Sequence, residues 1–248
     1  MKKKTLIAGF LILTVFGILY ATTWHEKEVI CPVCETKNKF QGISSYGSYI
    51  YNWPSKFQYI YWPVTESAAF YSCKECRYTA LMWDFQSVSG DTLELIKSAI
   101  DTLPITMEAQ DDYLSIPITQ KLETAEMFYR LYETGEDTWC DFYRIMGYHY
   151  DRSRLVDKAD EKRLLALEIA NSQLEDSSNG YRNKELLLIT ASMKHFTNND
   201  SGAMKDIELA QTLRFNDAEL DSTRNANFNE YLDALLMDFV QKIENPDD

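Results

Sequence analysis

The chain has 248 residues, of which 45% are hydrophobic, so it can bury a sizeable core and is neither disordered nor fibrous. Its formal net charge is −13, and the excess is local: residues 91–248 hold 32 acidic and 16 basic groups, whereas residues 22–90 hold six of each. Because so acidic a chain is repelled by phosphate backbones, nucleic-acid binding is not expected.

The N-terminus has the composition of a membrane anchor, which we assign to residues 1–24. Three lysines precede an uncharged apolar run at residues 5–21. As a helix this run spans roughly 26 Å, and Trp24 would mark its interfacial end. We therefore expect a single-pass membrane protein with the bulk of the chain outside the cytoplasm. The alternative is a cleaved signal peptide and a secreted chain, although Leu19 fits poorly beside a cleavage site.

Four cysteines in two C-x-x-C pairs carry the strongest chemical signal. Cys31 and Cys34 belong to CPVC, and Cys73 and Cys76 belong to CKEC. Each pair can present two thiolates to one ion, and Zn²⁺ takes four such ligands in a tetrahedron. We therefore predict one structural zinc ion held by all four cysteines, with no coordination position left for catalysis. The 38 residues between the pairs indicate a zinc ribbon with an extended insert.

Two other uses of these cysteines remain open. The first is structural disulfides, which the oxidising environment of an exported chain would permit. The second is redox chemistry, because CPVC resembles the C-x-x-C motif of thiol oxidoreductases, and Cys31 and Cys34 would then be a redox pair. No βαβ pattern surrounds the motif, and one redox site needs only one pair. The fifth cysteine, Cys140, lies in a helical pattern and is expected to be a small buried apolar residue.

The insert is unusually rich in aromatic residues. Residues 40–85 hold 14 of the chain's 33 aromatic side chains, which favours β structure, and we expect short strands at residues 49–51, 57–62 and 69–71. These rings either pack over the zinc turns and the helical part or form an exposed patch for a partner or membrane. A stacking platform for single-stranded nucleic acid is disfavoured, because the middle of the insert has only Lys56 as a basic group.

Beyond residue 116 the apolar residues recur at helical spacing, and their short connections indicate antiparallel neighbours. The pattern predicts six helices, at residues 118–132, 139–150, 156–174, 186–196, 203–213 and 228–243. Within them, the small residues Ala191, Ala203 and Ala210 have the spacing of a tetratricopeptide (TPR) unit, and Gly147-x-x-Tyr150 resembles the signature of its first helix. The register is imperfect, because Gly147 and Ala191 are 44 residues apart where the repeat is about 34. An ordinary antiparallel bundle would show similar small residues, so that alternative stays open.

The chain resembles uncharacterised bacterial proteins in which a split zinc ribbon precedes TPR-like helices. The residues that carry the resemblance are Cys31-Pro-Val-Cys34, Cys73-Lys-Glu-Cys76-Arg-Tyr78, and the stretches at residues 142–150 and 191–196. The resemblance implies a mainly α fold, in which a small aromatic-rich β zinc ribbon precedes antiparallel helical repeats. We divide the chain into an anchor or signal peptide (1–24), a zinc-ribbon domain (25–90), a linker (91–115) and a TPR-like helical domain (116–245).

Enzymatic motifs are lacking in the sequence. Its histidines, His25, His149 and His195, have no metal-binding spacing, and no G-x-S-x-G or phosphate-binding glycine loop occurs. We therefore expect a membrane-tethered scaffold or adaptor with structural zinc, whose acidic helical domain binds a protein partner with a basic segment. The alternatives are an exported thiol–disulfide protein that uses Cys31 and Cys34, or a structural protein of the cell envelope.

Overall fold

The computed structural model describes residues 23–45, 47, 53–132 and 134–245. In these ranges the chain is mainly helical, with two small antiparallel sheets, as the sequence predicted. The strands are β1 (Thr23–Ile30), β2 (Lys37–Ser45), β3 (Phe70–Ser72) and β4 (Thr79–Leu81). The α-helices are α1 (Gly90–Ala99), α2 (Ile118–Tyr129), α3 (Glu136–Arg152), α4 (Val156–Glu175), α5 (Asn183–Phe196), α6 (Asp200–Gln211) and α7 (Ser222–Glu244).

The four strands form two separate hairpins, and each hairpin turn contains one C-x-x-C pair. In the first, β1 and β2 are antiparallel and Ile30 lies opposite Lys37. In the second, β3 and β4 are antiparallel and Ser72 lies opposite Thr79. Side chains of β2 alternate between the core and solvent, as expected for a strand with one covered face. The hairpins thereby fix the direction in which each cysteine pair points.

The predicted strands of the insert were correct at one position and wrong at another. The strand expected at residues 69–71 exists as β3, shifted by one residue. The strand expected at residues 57–62 is wrong, because this stretch forms turns and Tyr59 has a positive φ of 58°. Its Phe57 and Tyr59 rings contact Phe239 and Tyr231 of α7, and its Trp62 ring contacts Trp24 of β1. The stretch itself pairs with none of the described strands. The stretch at residues 49–51 lies outside the described residues.

The helices agree with the apolar periodicity, and α3 and α4 approach each other closely. A Cβ atom at Gly147 would lie 2.9 Å from Cγ of Arg163, so only glycine permits this approach. Ala159 and Ala166 of α4 are fully buried, as are Ala203 and Ala210 of α6. The sequence did not predict α1, which lies in the stretch assigned as a linker.

One continuous core joins the hairpins to the helices. Buried Phe40, Tyr71 and Phe85 from the N-terminal part belong to the same apolar cluster as Phe128 of α2. Hydrogen bonds reinforce this contact: the Leu81 N–H donates to the hydroxyl of Tyr129 at 3.1 Å. The two parts therefore pack as one folded unit over the described residues.

The predicted membrane-spanning localisation is wrong for the part of the chain that the structure describes. No helix in residues 23–45, 53–132 or 134–245 is both long enough and apolar enough to cross a bilayer. Thr23 and Trp24, placed by the sequence at the interfacial end of an anchor, instead begin β1. The apolar run at residues 5–21 lies outside the described residues.

Candidate metal centre

The two cysteine turns have the same backbone geometry. In the first, the Cys31 N–H donates to the carbonyl of Thr36 and the Glu35 N–H donates to the carbonyl of Cys31, both at 2.9 Å. In the second, the Cys73 N–H donates to the carbonyl of Tyr78 at 2.9 Å and the Arg77 N–H donates to the carbonyl of Cys73 at 3.0 Å. Two residues separate the second cysteine of each pair from the next strand, so each turn closes its hairpin tightly.

Both turns also contain one residue with a left-handed backbone. Glu35 has a φ of 62° and Arg77 a φ of 63°, at equivalent positions directly after Cys34 and Cys76. This conformation is uncommon for residues with a Cβ atom and is retained where the surrounding geometry requires it. Here it bends the chain so that both cysteines of a pair face the same point.

The two turns bring all four predicted ligands together. The Sγ atoms of Cys31, Cys34, Cys73 and Cys76 all lie within 4.8 Å of one another. Two contacts run between the turns: Cys31 Sγ lies 3.7 Å from Cys76 Sγ, and Cys34 Sγ lies 3.5 Å from Cys73 Sγ. This cluster can hold one metal ion. Cys140 is buried elsewhere, with its Sγ 3.7 Å from the carbonyl of Ala166.

Hydrogen bonds among the sulfurs separate their pKa values. The bond to Cys73, together with burial, raises the pKa of Cys31 to about 12. The pKa of Cys76 is also raised, by its bonds to Cys31 and Cys73. By contrast, donation from Cys31 and Cys76 stabilises a Cys73 thiolate and holds its pKa far below the ordinary value. A bound dication would favour thiolates at all four ligands.

Asn38 of β2 links the two turns and was not singled out by the sequence. Its Oδ1 accepts a hydrogen bond from the Lys74 N–H at 2.9 Å, and its Nδ2 donates to the carbonyl of Thr36 at 2.9 Å. Nδ2 also lies 3.6 Å from the Sγ of Cys73. Asn38 therefore holds the two turns in register and donates to a sulfur of the cluster.

The histidines lie outside this cluster. His25 is bonded to Ser44 on the first hairpin, and His195 is paired with Asp200. His149 is buried, and its Nε2 must carry the proton because it lies 2.8 Å from the carbonyl of Val64, which only accepts. Burial lowers the pKa of His149 to about 4.

Residues 53–64, here called the insert segment, lie against the helical part. The Arg144 guanidinium of α3 donates through Nη1 to the carbonyls of Gln58 and Tyr59, at 3.2 and 2.7 Å. Arg163 of α4 donates through Nε to the Gln58 side chain at 3.1 Å. Directly before Gln58, the Phe57 ring stacks on Phe239 of α7 with centroids 4.9 Å apart. Part of the helical surface expected to bind a partner is thus covered by the chain itself.

The sequence model of a protein family, described as "Uncharacterized protein conserved in bacteria (DUF2225)", matches residues 24–206. The chain belongs to this family. The matched range contains both hairpins, all four clustered cysteines and the helices α1 to α5, so the DUF2225 region includes the whole candidate metal centre. Comparison of the chain with the curated proteins and with the solved structures gave no match.

Proposed function

We propose that the four cysteines bind one Zn²⁺ ion that stabilises a protein-interaction module and takes no part in catalysis. The geometry of the sulfur cluster carries this proposal. With zinc–sulfur bonds of about 2.3 Å, two ligands of a tetrahedral site lie about 3.8 Å apart. Two sulfur pairs that span the turns, at 3.7 and 3.5 Å, are near this value, and all four sulfurs lie within 4.8 Å of one another. Four thiolates complete the shell, so no position remains for a water molecule or a substrate.

The same geometry favours a metal over the thiol–disulfide alternative. A disulfide requires sulfurs about 2.0 Å apart, and a redox cysteine must be accessible to its substrate. Cys31 and Cys73, the first cysteine of each pair, are 0% and 1% exposed, whereas Cys34 and Cys76 are half-buried. Each of the two buried sulfurs lies within 3.7 Å of a sulfur of the opposite pair. A Cys31–Cys34 redox couple with Cys31 as its nucleophile would need that residue at the surface.

The helices support an interaction role of the TPR-like kind. In both successive pairs, α3 with α4 and α5 with α6, fully buried small residues occupy the interface, including Ala166 and Ala203. Such residues allow close stacking of helix pairs, which is how TPR units build binding surfaces. Because residues 91–248 hold twice as many acidic as basic groups, we propose a polypeptide partner with a basic segment.

The metal is tested by elemental analysis of the purified full-length chain in reducing buffer. We expect one zinc per chain, and we expect Cys73→Ser to lose the zinc and lower the melting temperature. Cys140→Ala is the matched control, because Cys140 is equally buried but lies outside the cluster. Absence of stoichiometric zinc in the reduced wild-type protein, or equal zinc loss in both variants, would refute the proposal.

The interaction role is tested separately with deca-arginine, a model basic polypeptide. We expect binding to the full-length chain at low salt that weakens as ionic strength rises, because opposite charges on surfaces are screened by salt. Deca-citrulline, a neutral analogue with the same shape, is the control. Equal binding of the two peptides, or none by either at low salt, would contradict a partner with a basic segment.

A further inference from the structure

A cleft of about 480 Å³ lies beside the insert segment, between α3, the start of α5 and α7. Tyr59 and Tyr61 of the insert segment line one side, and Phe228 of α7 also faces the space. Its volume falls in the range of ligand pockets, about 300–1,000 Å³. The insert segment covers the neighbouring helical surface, and this cleft is an open part of that surface next to it.

The charges in the cleft favour a cation. The Arg144 guanidinium is paired with Asp141, and the Arg182 guanidinium is paired with Asp137 at 2.7 Å and Glu185 at 3.1 Å. Both guanidiniums therefore already have carboxylate partners. Three carboxylates against two guanidiniums leave the lining with a net charge of −1. An incoming anion would have to displace one of these pairs, whereas a cation would add to them.

Asp137 and Asp141 provide free acceptor atoms at the solvent side of the cleft. Their side chains are 63% and 64% exposed. The hydrogen bonds that they accept from other described residues all end on Oδ1: from Arg182 and Gln173 at Asp137, and from Arg144 at Asp141. The two residues are four apart on α3 and so lie on the same face of the helix. A planar group with several N–H donors can bridge their two Oδ2 atoms.

The rest of the lining suits a side chain with an apolar stem. Tyr59, Tyr61 and Phe228 present aromatic rings, and the Tyr59 ring already lies 5.5 Å from the guanidinium carbon of Arg144. Rings of this kind attract a guanidinium in preference to a strongly hydrated ammonium. Arginine combines three methylene groups with a planar five-donor head, which matches rings within the cleft and carboxylates at its edge.

We propose that this cleft binds an arginine side chain of the partner polypeptide, with the guanidinium bridging Asp137 and Asp141 and the stem against Tyr59 and Tyr61. The proposal rests on the basic polypeptide partner proposed above. The acidity of the helical part alone would favour basic residues of the partner anywhere on its surface. The proposal instead places the recognition of the partner in one cleft and assigns it to one arginine side chain.

The test uses N-acetyl-arginine-N-methylamide titrated into the zinc-loaded, ¹⁵N-labelled full-length chain, followed by the amide signals in NMR spectra. We expect saturable shifts at cleft residues, Tyr61, Asp141 and Phe228 among them. The lysine analogue should bind at least about threefold more weakly, and the isosteric neutral citrulline analogue at least about tenfold more weakly. Equal affinity of the three compounds, or shifts spread over other acidic surfaces, would overturn the proposal.

A charge-matched pair of variants localises the effect. The double variant Asp137→Asn, Asp141→Asn should weaken arginine-probe binding at least about tenfold, because both bridging carboxylates lose their charge. Glu108→Gln, Glu208→Gln removes the same charge at two exposed positions outside the cleft and should leave binding unchanged. Thermal melting of both confirms folding, and equal effects of the two changes would contradict the proposal.

Deca-arginine separates failure of this inference from failure of the proposed function. If both double variants bind deca-arginine as the wild type does, the acidic interaction module stands and the cleft assignment is wrong. If the wild type itself fails to bind deca-arginine at low salt, the proposed function is wrong as well. If only the cleft variant loses deca-arginine binding, both proposals are supported.

Discussion

Replacing Asn38 by Ala tests whether the contact between the two cysteine turns supports the metal. Asn38 is 3% exposed and makes three contacts across the turns, to the Lys74 N–H, the Thr36 carbonyl and the Cys73 sulfur. Alanine removes all three and adds none. We expect the variant to fold with its four cysteines present but with weaker zinc binding.

The size of the effect follows from what each partner loses. The Thr36 carbonyl keeps its bond from the Cys31 N–H, so its loss is small. The Lys74 N–H loses its acceptor, and the sulfur of Cys73 loses a donor to its negative charge. At about 1 kcal/mol for a neutral bond and about 2 kcal/mol for a bond to a charged group, the total cost is about 3 kcal/mol. Loss of an outer partner of a metal ligand lowers affinity by about 10–100-fold.

The control is Asn229→Ala, because Asn229 is 5% exposed and also makes three hydrogen bonds, to the N–H and carbonyl of Phe215 and the carbonyl of Asn225. Both variants should lose similar stability in urea unfolding, and only Asn38→Ala should lose zinc affinity in competition with a chelator. The reasoning would be refuted if zinc affinity fell less than about threefold in Asn38→Ala or fell equally in both.

Two further predictions concern groups buried beneath the hairpins and the insert segment. Burial lowers the pKa of Lys121 to about 7, so between that pH and its ordinary pKa only the unfolded chain holds the proton. The free energy of unfolding should therefore rise with pH over this window, by up to about 1.4 kcal/mol per pH unit. In urea unfolding from pH 6 to 10, the Lys121→Met variant should lack this rise. If the free energy of unfolding depended on pH in the same way in the variant and the wild type, the prediction would be wrong. Phe57→Ala removes a buried ring that stacks on Phe239 and should cost about 3–5 kcal/mol in the same assay, whereas Trp83→Ala, at a side chain 48% exposed, should cost less than about 1 kcal/mol. Similar losses in these two variants would contradict the packing of the insert segment.

The helices and the four clustered cysteines could be read from the sequence because both signals are local. Apolar residues such as Leu232, Leu235, Leu236 and Phe239 recur on one face of α7 and are all buried. A C-x-x-C turn likewise brings its two sulfurs together by its own backbone geometry. The prediction that the two turns form one cluster followed from the rule that a structural zinc ion takes four ligands.

The missed features depend on tertiary contacts. The sequence of β1 is Thr-Trp-His-Glu-Lys-Glu-Val-Ile, and most of its side chains are exposed. Apolar and polar residues therefore do not alternate along it, and the sequence did not indicate a strand. The Phe57 to Trp62 stretch has the composition of a strand, but its carbonyls bond to Arg144 and its rings meet α7. Asn38 is one polar residue among several near Lys37 and Lys39, and only the fold shows that it faces the other turn.

The contacts between the insert and the helices would link a metal bound by the cysteines to the stability of the helical part. Three basic side chains of the helical part are buried, and each finds carbonyl acceptors between the two cysteine pairs: Lys121 at Ser67, Arg144 at Gln58 and Tyr59, and His149 at Val64. Without these acceptors each side chain would leave at least one buried N–H donor unsatisfied, at a cost of about 1–3 kcal/mol. Because the cysteine pairs hold both ends of this stretch, an ion that joins them also stabilises the helical part.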